Sequence, residues 1–562
     1  MSATSPAEPS PTPSGPDLGP LAADVVVVGS GASGLVAALA AATAGASVTV
    51  MEKAAVFGGT SVVSGGSMWV PGNRFMGALG IPDSRDDACA YVRAVSLGRV
   101  PDPLLVAFVD TVNPLLEFLT ARTPLEFTAN ARHPDYQPHL PGAKPAGRTV
   151  QVGLYDSKRL GDLQPLLRKG HSTVPVTRDE FDTWGEQTLD RWDWALIAQR
   201  TGASIVGMGE ALVGGLLEAC VDVGVRLHVG YRAMELLRDD ERVAGVVAAG
   251  AGGQVSVLAA RGVVLASGGF EWDEGYVRQF LGVPMVAPGS PPANEGDGLR
   301  MAMKAGAALG NMTEAWWAPM LEIVGDEYDE RPLYRPTSGL RALPGSIIVN
   351  RRGRRFVDEA MNYNDLTKAM MHFDPVAYDY VNIPAYLVFD ERFRRSYSVG
   401  TVTPDAPTPR WMLEAATLGD LATSAGIDPH GFVAQVDEFN EHARSGEDPV
   451  FHRGESVYDR YRGDASVLPH CNTRPVGEGP YYAVELRLGC LGTKGGPLTD
   501  ENGQVLDLDG GSVRGLYACG NAAASVFGPG YPGAGATLAA GMTFGYLIGN
   551  ALATVAAVET SA

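Results

Sequence analysis

The N-terminal part of the chain alternates between apolar runs and glycine-rich breaks. Residues 24–28 form a β-branched run, which is typical of a parallel strand buried on both faces of a sheet. An alanine-rich segment follows, and Gly45 is well placed to end it as a helix. A second apolar run, residues 47–50, leads to Glu52. This pattern predicts a strand–helix–strand unit of an α/β fold.

The same alternation returns later in the chain. Further strands are predicted from apolar runs at residues 225–229, 243–247, 255–258, 262–266 and 515–519. The last two of these runs close on glycines. Residues 294–298 open a predicted helix through Gly306, and a final apolar helix is predicted after Gly535. The C-terminal strand and helix therefore indicate a return to the first domain.

The first glycine-rich break has the spacing of a dinucleotide-binding turn. Gly29, Gly31 and Gly34 follow the first strand and open the helix, and Glu52 lies eighteen residues after Gly34. The glycines permit a tight turn that points the helix N-terminus at a pyrophosphate, and Glu52 can accept hydrogen bonds from ribose hydroxyls. A tight turn in some other α/β domain is the alternative interpretation.

The sequence after Glu52 favours a flavin over a nicotinamide cofactor. A second glycine- and hydroxyl-rich loop, residues 57–66, stands where an NAD domain would normally run into another helix. Such a loop suits an extended FAD whose isoalloxazine lies against backbone amides. Taken alone, this loop is also consistent with a glycine-rich surface loop.

The middle of the chain has a different composition, with most of the tyrosines and many Arg/Asp pairs. We predict a Rossmann-like α/β FAD-binding domain with a smaller inserted α+β catalytic (capping) domain, and an active site at their seam. Residues 151–200 are interpreted as an excursion from the first domain. The predicted division is a disordered leader (1–22), the first part of the FAD-binding domain (23–321), the catalytic domain (322–488) and the C-terminal return (489–562).

Composition and charge narrow the function classes. The 562 residues include 44 Lys and Arg against 64 Asp and Glu, and this net charge of −20 disfavours nucleic acid as a partner. The 70 glycines agree with many tight turns. Five scattered cysteines without a CxxC spacing, and histidines without metal-ligand spacing, predict no metal site and fit a reducing cytoplasm. Glycines interrupt the apolar stretch at residues 22–51, so no transmembrane segment is predicted.

Several longer motifs resemble one known family. The chain resembles the fumarate-reductase and succinate-dehydrogenase type of flavoprotein, and within it the 3-ketosteroid Δ1-dehydrogenases, over residues 24–547. The shared motifs are residues 66–73 (GSMWVPGN), 314–319 (EAWWAP), 344–350 (PGSIIVN), 451–461 (FHRGESVYDRY), 491–496 (LGTKGG) and 531–535 (YPGAG). The resemblance implies removal of hydrogens from C1 and C2 of a 3-ketosteroid, with a quinone or another compound as electron acceptor.

The resemblance also implies four catalytic positions. The Tyr531 hydroxyl and the backbone N–H of Gly535 would donate to the C3 carbonyl, where enolate charge develops. Tyr363 would remove the C2 proton with support from Tyr136, and flavin N5 would accept the C1 hydrogen as hydride. A tyrosine has a reference pKa near 10, so we expect the second phenol or a fixed dipole to lower the pKa of the base.

The predicted cofactor is non-covalent FAD, because Gly59 stands about where respiratory relatives carry a flavin-linking histidine. The predicted FAD-binding residues are Gly29, Gly31, Ala32, Ser33, Gly34, Glu52, Lys53, Gly58, Gly59, Thr60, Ser61, Ser64, Gly65, Gly66, Arg232, Ala233, Ala266, Ser267, Gly268, Asn294, Asp297, Gly520, Asn521, Ala536, Thr537 and Leu538.

Three positions depart from the family pattern, which has Asn, Pro and Asp where this chain has Asp358, Asn362 and Cys490. These departures concern substrate preference more than reaction type. A ketosteroid dehydrogenase acting at C4–C5, a fumarate-reductase-like enoate reductase and a non-enzymatic flavin-binding module remain alternatives. The run at residues 490–496 lacks the histidine of the reductase carboxylate clamp, and this absence disfavours the enoate reductase.

Overall fold

The computed structural model describes residues 21–171, 174–239 and 242–557, and all statements below refer to these ranges. Most of the predicted leader lies outside them. The last two leader residues, 21 and 22, are described and belong to the first strand, Leu21–Val28. This strand begins two residues before the predicted domain boundary. The predicted α/β class is confirmed by two layered sheets and their helices.

The first sheet has a parallel centre with antiparallel strands at its margins. In spatial order its main strands are Gln504–Leu506, Ser512–Ala518, Gly253–Leu265, Leu21–Val28, Val48–Glu52 and Arg226–Val229. Arg242–Gly250 pairs with Gly253–Leu265 and with Arg232–Asp239. The strands predicted at residues 255–258 and 262–266 are one continuous strand, because the alternation of the first half runs directly into the buried run of the second.

The second sheet belongs to the predicted inserted domain and is almost wholly antiparallel. Its main order is Arg331–Pro336, Ala315–Tyr328, Tyr481–Thr493, Ala385–Asp390 and Ser346–Asn350, and the short strands Ala287–Pro288 and Leu413–Ala415 also pair with Tyr481–Thr493. The predicted boundaries at 321/322 and 488/489 fall inside two neighbouring strands of this sheet. Two paired strands therefore run without interruption across both predicted boundaries.

Smaller strands complete the fold. A three-stranded sheet contains Ser67–Trp69, Thr149–Val152 and Phe127–Ala129. The two-stranded pairs are Tyr155–Asp156 with Ile205–Val206, Leu309–Gly310 with Gly496–Pro497, and Phe373–Asp374 with Asp379–Tyr380.

The helices surround both sheets. The α-helices are Ala32–Thr43, Gly59–Val62, Arg85–Ser96, Asp102–Arg122, Arg178–Trp184, Trp194–Gly202, Met208–Asp222, Glu274–Tyr276, Asp297–Lys304, Tyr363–Met370, Glu391–Ser396, Leu418–Ala425, Pro429–Ala443, Val457–Arg462 and Ala536–Thr554. Short 3-10 helices cover Ser157–Leu166, Leu189–Arg191, Leu340–Ala342 and Gly520–Ala522, and a π-helical turn covers Val277–Leu281.

Two of these helices, Asp102–Arg122 and Ala536–Thr554, are long and apolar enough to cross a membrane by length and composition alone. Ala536–Thr554 packs along Ala32–Thr43 and also contacts Asp102–Arg122. The first contact is close because the Cβ position of Gly545 lies 2.4 Å from the Ser33 carbonyl oxygen. Apolarity in the C-terminal helix is therefore explained by packing within the fold.

Candidate active site

The first glycine-rich turn lies at the carboxyl ends of the parallel strands, where α/β sheets bind dinucleotides. Gly29 follows the first strand with a φ of +107°, and its Cβ position lies 2.4 Å from the Ala266 carbonyl oxygen. A side chain there would collide with the neighbouring strand end. Gly34 has its Cβ position 2.3 Å from the Gly29 oxygen, so it allows the helix to begin directly against the turn.

Glu52 is buried and accepts three hydrogen bonds from the chain itself. Its carboxylate accepts from the Ser30 N–H at 3.1 Å, the Ser30 hydroxyl at 2.7 Å and the Ala54 N–H at 2.9 Å. An ionised carboxylate offers about four acceptor positions. Glu52 therefore both fixes the glycine turn and keeps acceptor capacity for a ribose hydroxyl.

The second glycine-rich loop is joined to the first by hydroxyl side chains. Ser61 Oγ accepts from the Ala32 N–H at 2.9 Å, at the start of the first helix. Thr60 Oγ1 accepts from Asn294 Nδ2 at 2.8 Å, which connects the loop to the segment before Asp297–Lys304. These bonds hold three predicted cofactor segments around one cavity.

Four charged residues form a cluster on one side of that cavity. Lys53 Nζ lies 2.9 Å from both Glu295 and Asp297, and Arg232 lies 2.5 Å from Asp297 and 3.1 Å from Glu295. Burial raises the pKa of Asp297, but the two cations lower it below its usual range in sum. Lys53, Arg232 and Asp297 were predicted to bind the cofactor. In the structure, the charges of all four residues cancel one another.

The C-terminal helix begins at the same cavity. Gly535 precedes Ala536–Thr554 with a φ of +86°, and its Cβ position lies 2.5 Å from the Ser67 carbonyl carbon. Among the described residues, the N–H groups of Gly535, Thr537 and Leu538 have no hydrogen-bond acceptor. The positive end of the helix dipole and these free donors form a site for negative charge.

These features together form one continuous cavity of about 820 Å³. It is long enough to run from the Glu52 end of the sheet to Tyr531, and it is lined by hydroxyl groups and backbone amides. The Ser267 hydroxyl lines it and is buried without a hydrogen-bond partner among the described residues. A dinucleotide that carries a flavin fits this set of donors, glycine turns and a single ribose carboxylate.

Most of the predicted site residues line this cavity. The catalytic candidates Tyr136, Tyr363, Tyr531 and Gly535 all do so. The predicted cofactor residues that do not line it are Ala32, Gly34, Gly58, Gly66, Arg232 and Ala536. Gly66 instead allows close packing, since its φ is +64° and its Cβ position lies 2.3 Å from the Met208 carbonyl carbon.

Three buried phenols converge at the seam of the two sheets. Tyr136 Oη donates to Tyr363 Oη at 3.0 Å. The Tyr531 ring lies 5.0 Å from that of Tyr136 and 5.7 Å from that of Tyr363, measured between centroids. Thr537 Oγ1 donates to Tyr531 Oη at 3.2 Å, which leaves the Tyr531 hydrogen free to donate elsewhere.

Asn362 positions two of these phenols at once. It caps the helix that begins at Tyr363, because its Oδ1 accepts from the Asp365 N–H at 3.1 Å. Its Nδ2 donates to the Tyr136 carbonyl oxygen at 3.3 Å and to the Asp365 carboxylate at 2.8 Å. This departure from the family pattern therefore contributes directly to the geometry of the tyrosine pair.

The other two departures lie further from the phenols. Cys490 is buried in a strand, and its carbonyl oxygen accepts from the Gly289 N–H at 2.8 Å. Burial and the nearby carboxylate of Asp459 raise the pKa of Asp358 to about 7. Neither residue lines the cavity.

The acidities of the phenols differ from the sequence-based expectation. Burial raises the pKa of Tyr363 well above its usual range, and the neighbouring Tyr136 and Tyr531 phenols raise it further. Burial also dominates the raised pKa values of Tyr136 and Tyr531. The prediction that a second phenol lowers the pKa of the base is therefore wrong for this site, since burial and both neighbouring phenols raise the pKa of Tyr363.

Comparison with known proteins identifies the family. The pattern of the FAD binding domain family matches residues 24–538. The chain is 44% identical to a 4-oxocyclohexanecarboxylate 2-dehydrogenase of Sinomonas cyclohexanicum, over 95% of this chain and 93% of the relative. It is 38% identical to a 3-oxosteroid 1-dehydrogenase of Mycobacterium tuberculosis, over 93% of this chain and 97% of the relative.

The chain belongs to the FAD binding domain family. A solved 3-ketosteroid Δ1-dehydrogenase of Sterolibacterium denitrificans, in complex with 1,4-androstadiene-3,17-dione, superposes with a TM-score of 0.88 at 35% identity. That superposition covers 95% of this chain and 99% of the other. The protein is therefore an FAD-dependent dehydrogenase of the ketosteroid dehydrogenase and fumarate reductase group, which oxidises CH–CH bonds. FAD is its cofactor.

Sequence reasoning missed two buried residues, Glu271 and Lys494, that lie outside the cavity wall and hydrogen-bond to residues next to it. Glu271 is buried and accepts from Ser290, Asn294 and Thr493 at 2.6 to 3.1 Å, which links the two sheets behind the cavity. Lys494 Nζ lies 4.2 Å from the Trp316 ring centroid and donates to the Gly530 carbonyl oxygen at 2.7 Å, just before Tyr531. Burial lowers the pKa of Lys494 to about 7. Lys494 belongs to the LGTKGG motif at residues 491–496, and this motif could have indicated it.

Arginines of the cavity wall were also missed. Arg178 comes from the excursion at residues 151–200, and Arg462 directly follows the FHRGESVYDRY motif at residues 451–461. Both line the cavity that contains Tyr136. Charge alone gave no signal for them, because arginines are spread along the whole chain.

Proposed function

We propose that the protein introduces a double bond next to the carbonyl of a cyclic ketone, and that a 3-ketosteroid oxidised between C1 and C2 is one candidate substrate. The observation that carries this proposal is the convergence of three phenols and the Gly535 N–H in one cavity. Phenols and a backbone donor suit a neutral ketone. They do not suit a dicarboxylate.

The carbonyl of the substrate would bind between Tyr531 and Gly535. The Tyr531 hydrogen and the Gly535 N–H are both free to donate among the described residues. When the proton next to the carbonyl leaves, enolate charge builds on the carbonyl oxygen. Two preorganised donors at the N-terminus of a 19-residue helix stabilise that charge more than they stabilise the neutral ketone.

Tyr363 would accept that proton. Its raised pKa means that the neutral phenol is the resting form. Proton acceptance therefore requires the phenolate character of Tyr363 to be stabilised at the moment of reaction by the 3.0 Å hydrogen bond from Tyr136. FAD, when bound, supplies the two-electron oxidant for the adjacent C–H bond. The ketone loses one proton and one hydride in total, and the product is the enone.

A second candidate substrate is 4-oxocyclohexanecarboxylate. Its dehydrogenation at C2 forms a double bond to C3, which is next to the C4 carbonyl, so the bond oxidised has the same relation to the ketone as C1–C2 of a 3-ketosteroid. The relative at 44% identity is named for this compound. The arginines Arg178 and Arg462, which line the cavity, favour a substrate that carries a carboxylate.

Two other branches are less well supported. A reductase that returns hydride to an alkene dicarboxylate would need cationic clamps in place of the phenols. Dehydrogenation at C4–C5 of a steroid would use the same cofactor and a tyrosine pair, and product analysis separates it from the C1–C2 reaction. We also propose a quinone or a similar compound as electron acceptor and a cytoplasmic location, in keeping with five cysteines that are all free.

An anaerobic titration of the yellow holoenzyme tests the proposal. 4-Androstene-3,17-dione and 4-oxocyclohexanecarboxylate are added separately while the flavin absorption band is followed, and the products are analysed by mass spectrometry and NMR. Bleaching with an enone product next to the carbonyl is the expected result for at least one of them. No bleaching with either, together with reoxidation of reduced enzyme by fumarate, would overturn it.

A further inference from the structure

Two arginines, Arg178 and Arg462, line the cavity that contains Tyr136, and among the described residues a single carboxylate, Asp182, forms an ion pair with either of them. Arg178 Nη2 lies 2.7 Å from Asp182 Oδ1, and the two side chains are 18% and 4% exposed. Asp182 also accepts from Asn130 Nδ2 at 2.9 Å. Arg462 lines the same cavity, and its guanidinium carbon lies 5.1 Å from the Tyr461 ring centroid.

Arg462 has no counter-ion of its own. Among the residues that the structure describes, it forms no ion pair and no hydrogen bond, and its Nε is buried without a partner. Asp182 is already paired with Arg178, although Arg462 is near enough to help lower its pKa to about 2 against the effect of burial. The cluster therefore carries one excess positive charge.

The other titratable groups around the cluster do not cancel this charge. Burial lowers the pKa of His133 to about 3, so this histidine is neutral. Tyr136 and Tyr461 pack against His133, and burial raises the pKa of both phenols. The Tyr458 ring packs against Tyr136, and the Tyr458 and Tyr461 hydroxyls are buried without partners in the described residues. The partly exposed Arg462 guanidinium contacts the Tyr458 and Tyr461 ring faces, which do not satisfy its N–H donors, so an anion is the fitting ligand.

We propose that Arg462, assisted by Arg178, binds a carboxylate on the substrate ring, on the side opposite the ketone that Tyr531 and Gly535 hold. This inference rests on the proposed function and assigns its substrate class as a cyclic ketone with a ring carboxylate. Arg462 and Arg178 are the residues that set this specificity. The planar guanidinium matches a carboxylate with two parallel hydrogen bonds.

The placement of the arginines agrees with a ring held at both ends. Arg178 Nη1 lies 3.7 Å from the Cβ position of Gly65, and the Gly535 Cβ position lies 2.5 Å from Ser67, two residues further along the same segment. On the other side, Arg462 and Tyr531 both lie beside Tyr136 and Tyr458. The carbonyl donors and the guanidinium groups therefore face one short stretch of the cavity.

A steroid would leave this charge uncompensated. The carbon opposite the ketone in its A-ring is a ring-fusion carbon, which carries no ionisable group. Apolar rings would then displace water from Arg462 without replacing its hydrogen bonds. A carboxylate at that carbon provides both the charge and the acceptors.

The test compares a charged and a neutral form of one substrate. kcat/KM is measured for 4-oxocyclohexanecarboxylate and for its methyl ester, in the wild type, Arg462→Met, Arg462→Lys and the charge-neutral double variant Arg178→Met/Asp182→Asn. We expect the preference for the acid over the ester to fall at least 30-fold in Arg462→Met and in the double variant. Arg462→Lys should recover part of it. Arg159→Met is the control. Arg159 lies in the same excursion as Arg178, is exposed and pairs with Glu218, so this substitution should leave the preference for the acid over the ester unchanged.

Binding is measured independently of turnover. Cyclohexanecarboxylate lacks the ketone and is therefore not dehydrogenated by this mechanism. Its Kd can be measured from the change that its binding causes in the flavin absorption spectrum. This Kd should rise at least tenfold in Arg462→Met, while the FAD content of the variant confirms its folding. If both substrates lose activity equally and the Kd is unchanged, Arg462 acts only on the phenols and the proposal is wrong. If acid, ester and steroid all fail to reduce the wild-type flavin, the proposed function itself fails.

Discussion

The hydroxyl oxygens of Tyr136 and Tyr363 lie 3.0 Å apart, although 227 positions separate them in the chain. Tyr136 is held from the first domain, where its N–H donates to the Pro532 carbonyl oxygen at 3.0 Å. Tyr363 begins a helix of the inserted domain. The pair is therefore formed by two distant parts of the chain, and the catalysis that we propose for it depends on their packing together.

Replacing Tyr363 by Phe should lower kcat about 10²- to 10⁴-fold, because the substrate proton loses its acceptor. FAD content and steroid or ketone affinity should change little. Stopped-flow reduction of the flavin is the direct measurement. Tyr397→Phe is a matched control, since Tyr397 is equally buried but donates to Asp464 at 2.8 Å in the inserted domain. Wild-type rates in Tyr363→Phe would contradict the assignment of the base.

Replacing Tyr531 by Phe should raise the barrier by about 3 kcal/mol, as for loss of one oxyanion donor. The effect should fall on kcat, because the donor matters more to the enolate than to the ketone. Tyr546→Phe, in the helix that follows Tyr531, is the control. Tyr546 does not line the cavity, and its ring centroid lies 4.9 Å from that of Phe118. A change confined to KM would show that Tyr531 only binds the ground state.

Asn362 offers a test of positioning. Asn362→Ala removes the helix cap, so the free energy of unfolding should fall by about 1 kcal/mol. The value of kcat should fall as well, because the bond to the Tyr136 carbonyl is also lost. Asn362→Ser keeps a capping oxygen but is too short to donate to the Tyr136 carbonyl. We expect its unfolding free energy to stay near that of the wild type while kcat falls about tenfold or more. If Asn362→Ser retains full kcat, the bond to Tyr136 has no part in catalysis.

The stability of the protein should depend on His133 in weak acid. Burial lowers the pKa of this residue to about 3, whereas an unfolded histidine titrates at about 6.5. Between these values the unfolded chain binds one more proton than the folded one. The unfolding free energy should therefore fall as pH falls, by up to about 1.4 kcal/mol per pH unit from this group.

Urea unfolding of the holoenzyme at pH 7, 6 and 5 measures the His133 contribution against His133→Gln. The variant should lose less stability over this range than the wild type. Parallel curves for the two proteins would show that His133 is not buried as a neutral ring.

Replacing Glu52 by Gln should weaken FAD binding, because a charged acceptor contributes about 1.5–3 kcal/mol to a hydrogen bond. An increase of roughly 10- to 100-fold in Kd is expected from fluorescence titration of the apoprotein with FAD. Glu455→Gln serves as control, since its side chain is 68% exposed and pairs with His452 at the surface. Unchanged affinity in Glu52→Gln would remove the ribose assignment.

The cofactor half of the site could be predicted from sequence because its signals are local. Gly29 and Gly34 are required by backbone contacts of 2.4 and 2.3 Å within one strand–helix turn, and only glycine fits there. The strand boundaries were less accurate. The run at residues 253–265 was divided in two, because an alternating half and a continuously apolar half look like separate strands in a one-dimensional pattern.

The sequence by itself determined the α/β class and the dinucleotide-binding turn, and motif resemblance predicted the three phenols as catalytic residues. Only the tertiary structure decided that Tyr363 is a neutral phenol, that Asn362 connects it to Tyr136, and that Arg462 has no counter-ion. These properties depend on burial and on neighbours from distant parts of the chain. A pKa and an ion pair are set by what surrounds a side chain in space, and sequence spacing carries no record of that surrounding when the partners come from two domains.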